Sequence, residues 1–560
     1  MTSFWDSNIW SLLLLGGMLF ASMLIAHILK KNITFLQKSL IPASVLGGII
    51  ILIFTTIYKL ITKNTFFELA IFSITQEVNN VNITSMSGSS ILETITYHCL
   101  AIGFICMALR DGKKDKGKKR ATEIFNTGVT TVSTYLIQAV LGLIVTMIAV
   151  NYISGLNAAG GIILALGYGQ GTGQALNYGI IYENTYGFVG GANFGLAIAA
   201  LGFLSASIGG VIYLNYLRRK GKIKVQISEN SEEMNLEKIQ GKNEIPLNSS
   251  IDKLTIQIAI VVCIYIVSYF IMKLLGDIVG EGLRATIYGF NFLIGTLLAV
   301  GFKGILKLLR NKNIVKKDYI NDFMMNRVGG VAFDVMIVAG IAVIDLDVIK
   351  DYWLILIIMG LIGAFATFYY IYFVSKVLFK DYKYEQFFAM YGMLTGTAST
   401  GIILLREIDP NFETPASNNL VYQNLPAIVF GLPIMFLASF APQGIKQTYI
   451  TFGLIVLFLI ILLFILFTVV INFLSESNGI SSTLGYSSYK SGWKSNSNPI
   501  LTNAVSVGSP VKVLSEATFV SLQSILIYTN FFNSSKLISK TIHKPINSKS
   551  LTLVLAVSIL

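Results

Sequence analysis

Long apolar runs separated by short polar stretches make up most of the chain between residues 9 and 474. A helix that spans a membrane needs about 20 predominantly apolar residues. Eleven runs are predicted to be such spans, at 9–29, 42–61, 91–109, 127–153, 188–217, 254–275, 284–301, 328–344, 352–378, 424–440 and 449–474. The pattern therefore predicts an all-α integral membrane protein.

Two further apolar segments are interrupted by glycine and small polar residues. They lie at 159–181 and 386–405, and neither contains an unbroken run of spanning length. Backbone that leaves the helix at membrane depth is tolerated only where protein or a water-filled cavity satisfies its polar groups. Each segment is therefore predicted to be a re-entrant hairpin, with a tip that contacts a solute.

Basic residues indicate which loops are cytoplasmic. They cluster after alternate spans, most densely between Arg110 and Arg120, and the formal net charge is +13. Because cytoplasmic loops are enriched in Lys and Arg, this distribution predicts an N-terminus on the outside. The first run is expected to be retained as a span, since no basic residue precedes it and no cleavage site precedes Lys30.

The spans divide into two similar halves. Each half holds five spans and one hairpin, and an odd number of spans reverses the second half in the membrane, which predicts inverted repeats. The predicted organisation is an N-terminal repeat at 1–225, a cytoplasmic linker at 226–252, a C-terminal repeat at 253–442, an additional span at 443–474 and a low-complexity tail at 475–560. An arbitrary string of spans with glycine-containing loops remains the alternative.

Composition excludes several classes of protein. The chain is 54% hydrophobic and 13% charged, and its basic clusters lie between apolar runs, which disfavours nucleic-acid binding. Cys99, Cys106 and Cys263 lie inside apolar runs without metal-ligand spacing, so no cofactor is expected. The chain has no HExxH motif and no credible nucleophile–base pair, so we do not expect an enzyme.

The first tip has the chemistry to receive a carboxylate. Glycines permit the close backbone approach and unusual φ angles that expose N–H donors, and amide and hydroxyl side chains add further donors and acceptors. The candidate substrate-binding residues are Gly169, Gln170, Gly171, Thr172, Gly173 and Gln174. The alternative is that these glycines serve helix packing.

The second tip offers oxygen atoms. Hydroxyls beside freed carbonyls form a shell suited to a hard monovalent cation such as sodium. The candidate cation ligands are Thr395, Thr397, Ser399 and Thr400. Gly392, Gly396, Thr397 and Thr400 are also candidate substrate-binding residues. The alternative is that the hydroxyls only cap their own helix.

Two charged residues near the membrane interior are further candidates. Asp334 lies inside a predicted span, where an acid is costly and by default functional. Pairing with Arg327 near the cytoplasmic end is its alternative role. Arg406 closely follows the second tip and is a candidate for a gate or for binding the charge of the substrate. A solvated loop end is the alternative there.

These motifs resemble those of the bacterial sodium/glutamate symporters, over about residues 8–442. Tyr168 to Gly173 is similar to the Gly-Gly-His-Gly-Thr-Gly tip of that family, and Gly392 to Thr400 is similar to its second tip. Ile41 to Gly48 is similar to its Ile-Pro-x-x-Val-x-Gly-Gly motif. The chain differs from the family at Tyr168 (Gly there), at Gln170 (His there) and at Ser399 (often Pro there).

The resemblance implies a symporter of the bacterial inner membrane with a re-entrant loop in each of two five-span repeats. It implies sodium as the coupling ion, glutamate or a related anionic amino acid or dicarboxylate as the substrate, alternating access, and a homodimer with a moving transport domain. A symporter for another organic anion and a channel with paired re-entrant loops are the alternatives.

Overall fold

The computed structural model describes residues 7–78, 81–110, 118–223, 252–279, 281–315, 317–409 and 413–477. The chain divides into two units, Met1–Ser482 and Thr483–Leu560, and the described residues all belong to the first. The predicted linker up to residue 251 and the predicted tail beyond residue 477 lie outside the described residues.

The described residues are almost entirely helical. The N-terminal part contains α1 (Ser7–Asn32), α2 (Thr34–Lys38), α3 (Ala43–Thr62), α4 (Gly88–Leu109), α5 (Lys118–Ala149), α6 (Ile163–Gln170), α7 (Thr172–Tyr186) and α8 (Gly191–Arg219). The C-terminal part contains α9 (Lys253–Val279), α10 (Glu281–Gly289), α11 (Asn291–Asn311), α12 (Asp322–Ala342), α13 (Trp353–Leu378), α14 (Lys383–Leu394), α15 (Ala398–Arg406), α16 (Ala416–Tyr422), α17 (Asn424–Phe440) and α18 (Ile445–Ser477).

Short elements connect these helices. Single 3-10 turns lie at Phe66–Glu68, Ala70–Phe72, Ala158–Ile162, Lys350–Tyr352, Lys380–Tyr382 and Ala441–Gln443. One antiparallel hairpin, β1 (Ile74–Val78) and β2 (Val81–Met86), lies between α3 and α4. The sequence did not predict this hairpin, since the stretch between the two spans is polar and lacks clear alternation.

Among the described residues, 11 helices are long and apolar enough to cross a membrane. They are α1, α3, α4, α5, α8, α9, α11, α12, α13, α17 and α18, and each overlaps one predicted span. The span predicted at 284–301 is divided at Phe290 between α10 and α11, and α11 continues to Asn311. Uninterrupted apolar sequence over spanning length accounts for this agreement, because such a stretch satisfies its own backbone only as a helix. The prediction of a many-span helical membrane protein is confirmed.

The helices pack in two groups, which we name the scaffold bundle and the tip bundle. The scaffold bundle contains α1, α3, α4, α9, α11 and α12, with α4 packed along α12 and α11, and α3 along α1 and α12. The tip bundle contains α5, α6, α7, α8, α13, α14, α15, α17 and α18, with α5 packed against α13, α17 and α18. Each bundle takes helices from both sequence halves.

The two bundles meet mainly along α7, which packs on α4 and α12. A Cβ atom added at Gly173 would lie 2.8 Å from Cδ1 of Leu100, and one at Gly340 would lie 2.8 Å from Cβ of Thr172. Asn177 extends this contact by donating a 2.8 Å hydrogen bond from Nδ2 to the carbonyl of Gly289. Small residues therefore let the backbones of the two bundles approach closely.

The entry to the first broken segment is fixed by a similarly close contact. Gly142 of α5 lies directly against Gly161 of the 3-10 turn, so a Cβ atom at either position would clash with the backbone of the other. The Thr146 hydroxyl donates to the carbonyl of Ala158 (2.7 Å) and accepts from the amide of Gly161 (3.1 Å). One threonine thus satisfies buried backbone groups that the 3-10 turn leaves open.

Gly142→Ala is expected to lower the free energy of unfolding by about 1–3 kcal/mol, because the added methyl group overpacks the contact with Gly161. The measurement is the melting temperature of the detergent-solubilised protein. Gly453→Ala is the matched control, since a Cβ atom there meets no other atom within 4 Å. Equal melting temperatures for the two variants would contradict this account of the contact.

Candidate functional site

The first tip is a sharp break between α6 and α7 at Gly171. Its φ of +79° and ψ of −168° lie in a region that is open almost only to glycine. The Gly171 amide still donates to the carbonyl of Gly167, and its carbonyl accepts from the amide of Ala175. No side chain caps the N-terminus of α7.

The second tip is the break between α14 and α15 at Thr395, Gly396 and Thr397. Thr397 is extended, and α15 begins after it without a side-chain cap. The Thr395 hydroxyl donates to the carbonyl of Tyr391 (2.7 Å), and Gln138 Nε2 donates to the carbonyl of Leu394 (2.9 Å). The C-terminal end of α14 is therefore satisfied, whereas the first turn of α15 receives no side-chain cap.

The two tips touch each other. A Cβ atom at Gly171 would lie 3.2 Å from Cγ2 of Thr397 and 3.5 Å from the carbonyl oxygen of Gly396. The two glycine-broken segments are far apart in the sequence, so only the tertiary fold brings them together. Residues of both tips line a cavity beside this contact.

This cavity lies between the two bundles and has a volume of about 80 Å³. The tip bundle and its connecting turns supply a mixed wall that carries all the polar side chains of the lining, and it consists of Thr131, Tyr135, Gly169, Gln170, Met393, Gly396, Thr397, Ala398, Gln423, Asn424, Ala427, Ile428, Gly431 and Met435. The scaffold bundle supplies an apolar wall, which consists of Phe104, Met107, Phe292, Leu293 and Phe333. None of these described lining residues is charged.

Four of the residues predicted for the tips line the cavity: Gly169, Gln170, Gly396 and Thr397. The Tyr135 hydroxyl donates to the carbonyl of Gly169 (3.2 Å), which holds the end of α6 at the wall. The Oε1 atom of Gln170 is buried and has no hydrogen-bond partner among the described residues. Gln170 thus holds an acceptor without a bond next to the cavity.

The other predicted tip residues lie behind the lining. Gly171 forms the contact between the tips, and Thr172 and Gly173 face α12 and α4. Gln174 is fully buried, and neither of its amide atoms has a partner among the described residues. Gly392 packs against Gly401 of α15.

The hydroxyl candidates of the second tip form a small group. The Oγ1 atoms of Thr397 and Thr400 lie 3.4 Å apart. Thr395 and Thr400 are buried, and Ser399 is half-buried. No group of three or more His, Cys, Asp or Glu side chains that could hold a metal ion is found in the described part of the chain.

Asp334 and Arg406 lie away from the cavity lining. Asp334 is half-buried on α12, beside the lining residue Phe333. The Arg327 guanidinium lies 5.1 Å from the centre of the Phe323 ring. Arg406 is exposed at the C-terminal end of α15, and the following Glu407 pairs with Arg218 at 3.1 Å.

A second cavity, of about 470 Å³, contrasts with the first because charged side chains line it. Lys59 on α3 pairs with Asp345 (2.7 Å) and with Asp347 (2.8 Å) in the loop after α12. The hydrogen bond from Lys59 lowers the pKa of the Asp347 carboxyl, and the charge of Lys59 adds to this effect. Glu93 also lines this cavity, which lies away from both tips.

The cavity lining also contains four polar residues that were not predicted from the sequence: Thr131, Tyr135, Gln423 and Asn424. Thr131 and Tyr135 belong to a stretch of α5 rich in buried hydroxyls and amides, which is unusual for a membrane span and was visible in the sequence. Gln423 and Asn424 lie just before Pro426, a residue that interrupts helical hydrogen bonding. Both features mark polar positions near a cavity.

A cysteine at Ala398 is expected to react with a small water-soluble thiol reagent, because Ala398 lines the cavity. A cysteine at Ala175 is the matched control and is expected to stay unlabelled, because Ala175 is fully buried against α8. Both variants are made in a background without the three native cysteines and followed by mass spectrometry. Equal labelling of both positions would contradict the location of the cavity.

A known protein family matches most of the chain. The sodium/glutamate symporter family matches residues 12–413, which is more than half of the chain and includes both tips. No curated protein matches the chain. Together with the eleven candidate spans, the match makes this a multi-pass membrane protein of a sodium-coupled transporter family. The chain belongs to the sodium/glutamate symporter family.

Proposed function

We propose that the protein carries glutamate or a related anionic amino acid or dicarboxylate together with sodium across the bacterial inner membrane. The observation that carries this proposal is the contact of the Gly171 tip with the Thr397 tip beside a cavity between two bundles. Paired broken segments in two halves of a chain are typical of the binding sites of secondary transporters. The sodium gradient drives uptake, and no enzymatic step is part of the cycle.

The α-carboxylate of the substrate binds at the start of α15 in this proposal. The first-turn N–H groups of a helix attract anions, and α15 has no side-chain cap to occupy them. Thr397 and Ala398 line the cavity at this helix end. The ammonium group binds at the first tip, where α6 ends and Oε1 of Gln170 is an acceptor without a bond to the described residues.

Sodium binds to neutral oxygen atoms of the second tip in this proposal. The oxygens of Thr395, Thr397, Ser399 and Thr400 are close in sequence, and the Oγ1 atoms of Thr397 and Thr400 lie 3.4 Å apart. Because Thr397 also lines the cavity, a sodium ion there strengthens carboxylate binding by placing a positive charge beside it. Substrate and ion are thereby coupled.

The two unlike walls of the cavity support alternating access in this proposal. Every polar lining residue belongs to the tip bundle or its connecting turns, whereas the scaffold wall consists of Phe104, Met107, Phe292, Leu293 and Phe333. An apolar wall makes no hydrogen bonds to a substrate, so the tip bundle can move past it without breaking any. We propose that the tip bundle carries substrate and sodium along the scaffold bundle, with α7 sliding on α4 and α12.

The membrane arrangement completes the proposal. The two hairpins enter from opposite faces as re-entrant loops of two inverted repeats, and the N-terminus lies outside. Basic clusters after alternate spans support this orientation. We propose a homodimer, in which a partner restrains the scaffold bundle while the tip bundle moves.

Uptake of labelled glutamate into proteoliposomes is expected to saturate and to require an inward sodium gradient. Unlabelled dicarboxylates and other organic anions, added as competitors, rank the substrates. The control replaces the sodium gradient with an equal potassium gradient. Flux that does not saturate and that ignores the ion gradient would indicate a channel and would contradict the proposal.

Thr397→Val is expected to raise the KM for glutamate or for sodium about tenfold, because it removes an oxygen from the shared site while keeping the side-chain shape. Thr468→Val is the matched control, since the Thr468 hydroxyl, among the described residues, bonds to the carbonyl of Phe464 within α18. Initial uptake rates are measured as functions of both concentrations. Unchanged KM values in Thr397→Val would remove this residue from the site.

A further inference from the structure

Gln423 lies at a discontinuity in the helix that forms one wall of the cavity. α16 ends at Tyr422 and α17 begins at Asn424, because Pro426 has no N–H to donate to the carbonyl of Tyr422. The Gln423 side chain is 1% exposed and lines the cavity. It lies outside the residues that match the family, which end at residue 413.

The orientation of the Gln423 amide follows from its two neighbours. One amide atom lies beside the Thr131 hydroxyl and the other lies 2.8 Å from Sδ of Met393. A thioether sulfur accepts hydrogen bonds weakly and donates none, so the atom facing Met393 is the nitrogen. The Gln423 oxygen then accepts from the hydroxyl of the buried Thr131, which donates its one hydrogen there instead of to the carbonyl of Thr127, 3.0 Å away on the same helix.

This arrangement leaves a strong donor without a strong acceptor. The Nε2 group carries two hydrogens, and its one acceptor among the described residues is the sulfur of Met393. A buried donor that lacks a good acceptor is costly unless a ligand completes it. The cavity is where such a ligand binds, because Gln423 and Met393 both line it.

An acidic substrate would supply a strong acceptor for this donor. An acidic amino acid has two carboxylates, and the start of α15 accommodates one of them. The described lining holds no Lys or Arg for the second. Met393 lies three residues before Gly396, so the Gln423 amide is beside the turn that leads into the second tip.

We propose that Gln423 binds the side-chain carboxylate of the substrate and that Thr131 holds its amide in the donating orientation. Gln423 is thus a specificity-determining residue, and Thr131 is a positioning residue. The inference rests on the proposed function, which it deepens. A hydrogen bond from the amide to a charged carboxylate is stronger than one to a neutral amide, so the wild-type protein prefers glutamate to glutamine.

The test measures sodium-dependent uptake of labelled glutamate into proteoliposomes and compares unlabelled glutamate with glutamine as competitors. These two amino acids have side chains of equal length that differ only in the terminal group. In Gln423→Glu, a carboxylate replaces the donor, so the inhibition constant for glutamate is expected to rise about 10- to 100-fold. Glutamine is expected to lose far less affinity, because its amide donates to the new carboxylate.

Two further variants keep the test decisive if Gln423→Glu folds poorly. Gln423→Met removes the donor without adding charge and is expected to lower the glutamate-to-glutamine preference. Thr131→Val leaves the amide in place but frees its orientation, so it is expected to reduce the same preference by a smaller factor. Gln443→Glu, at an exposed glutamine outside the cavity lining, is the matched control and is expected to keep the wild-type ratio.

The outcomes separate this inference from the proposed function. If the Gln423 variants keep sodium-dependent uptake and the ratio of the inhibition constants for glutamate and glutamine is unchanged, the role of Gln423 alone would be overturned. Absence of sodium-dependent uptake in the wild-type protein would overturn the proposed function, and this inference with it. A lower preference for glutamate over glutamine in Gln423→Met and Gln423→Glu, but not in Gln443→Glu, would support the inference.

Discussion

The structure depends on hydrogen bonds to the backbone N–H and C=O groups that two interrupted helices leave open, at a depth where membrane proteins normally have continuous helix. Each interruption is matched by a specific partner: Thr146 bonds the turn before α6, Tyr135 bonds the end of α6, and Gln138 bonds the end of α14. All three partners lie on α5, which therefore holds both broken segments in place. No side chain caps the helix that starts at either tip, and the start of α15 opens on the cavity.

This concentration of support on one helix explains the composition of α5. Its buried hydroxyls and amides are costly in a membrane span unless they bond to protein. Several hydroxyls donate to carbonyls of their own helix, while Gln138 and Thr131 reach the second half of the chain. The polar interior of α5 is thus the means by which the two sequence halves share one cavity.

The departures from the family pattern have unlike consequences. Tyr168, where the family has glycine, is buried inside the tip bundle, and its hydroxyl donates to the carbonyl of Gly360 at 2.6 Å. Gly363 leaves room for its ring, so Tyr168 is a packing residue that does not line the cavity. Gln170, where the family has histidine, does line the cavity. Of these two departures, only Gln170 changes the chemistry at the cavity wall, whereas Ser399, where the family often has proline, adds a half-buried hydroxyl at the second tip.

The sequence alone determined the eleven spans and the two broken segments, because length, hydropathy and glycine content act locally along the chain. It also located Gly169, Gln170, Gly396 and Thr397 at the two interruptions, because glycine and small polar residues concentrate where an apolar segment is broken. The contact between the tips, the apolar scaffold wall and the Thr131–Gln423 pair were decided only by tertiary structure. Those features join residues from opposite halves, and no local pattern records which distant side chains will share a cavity.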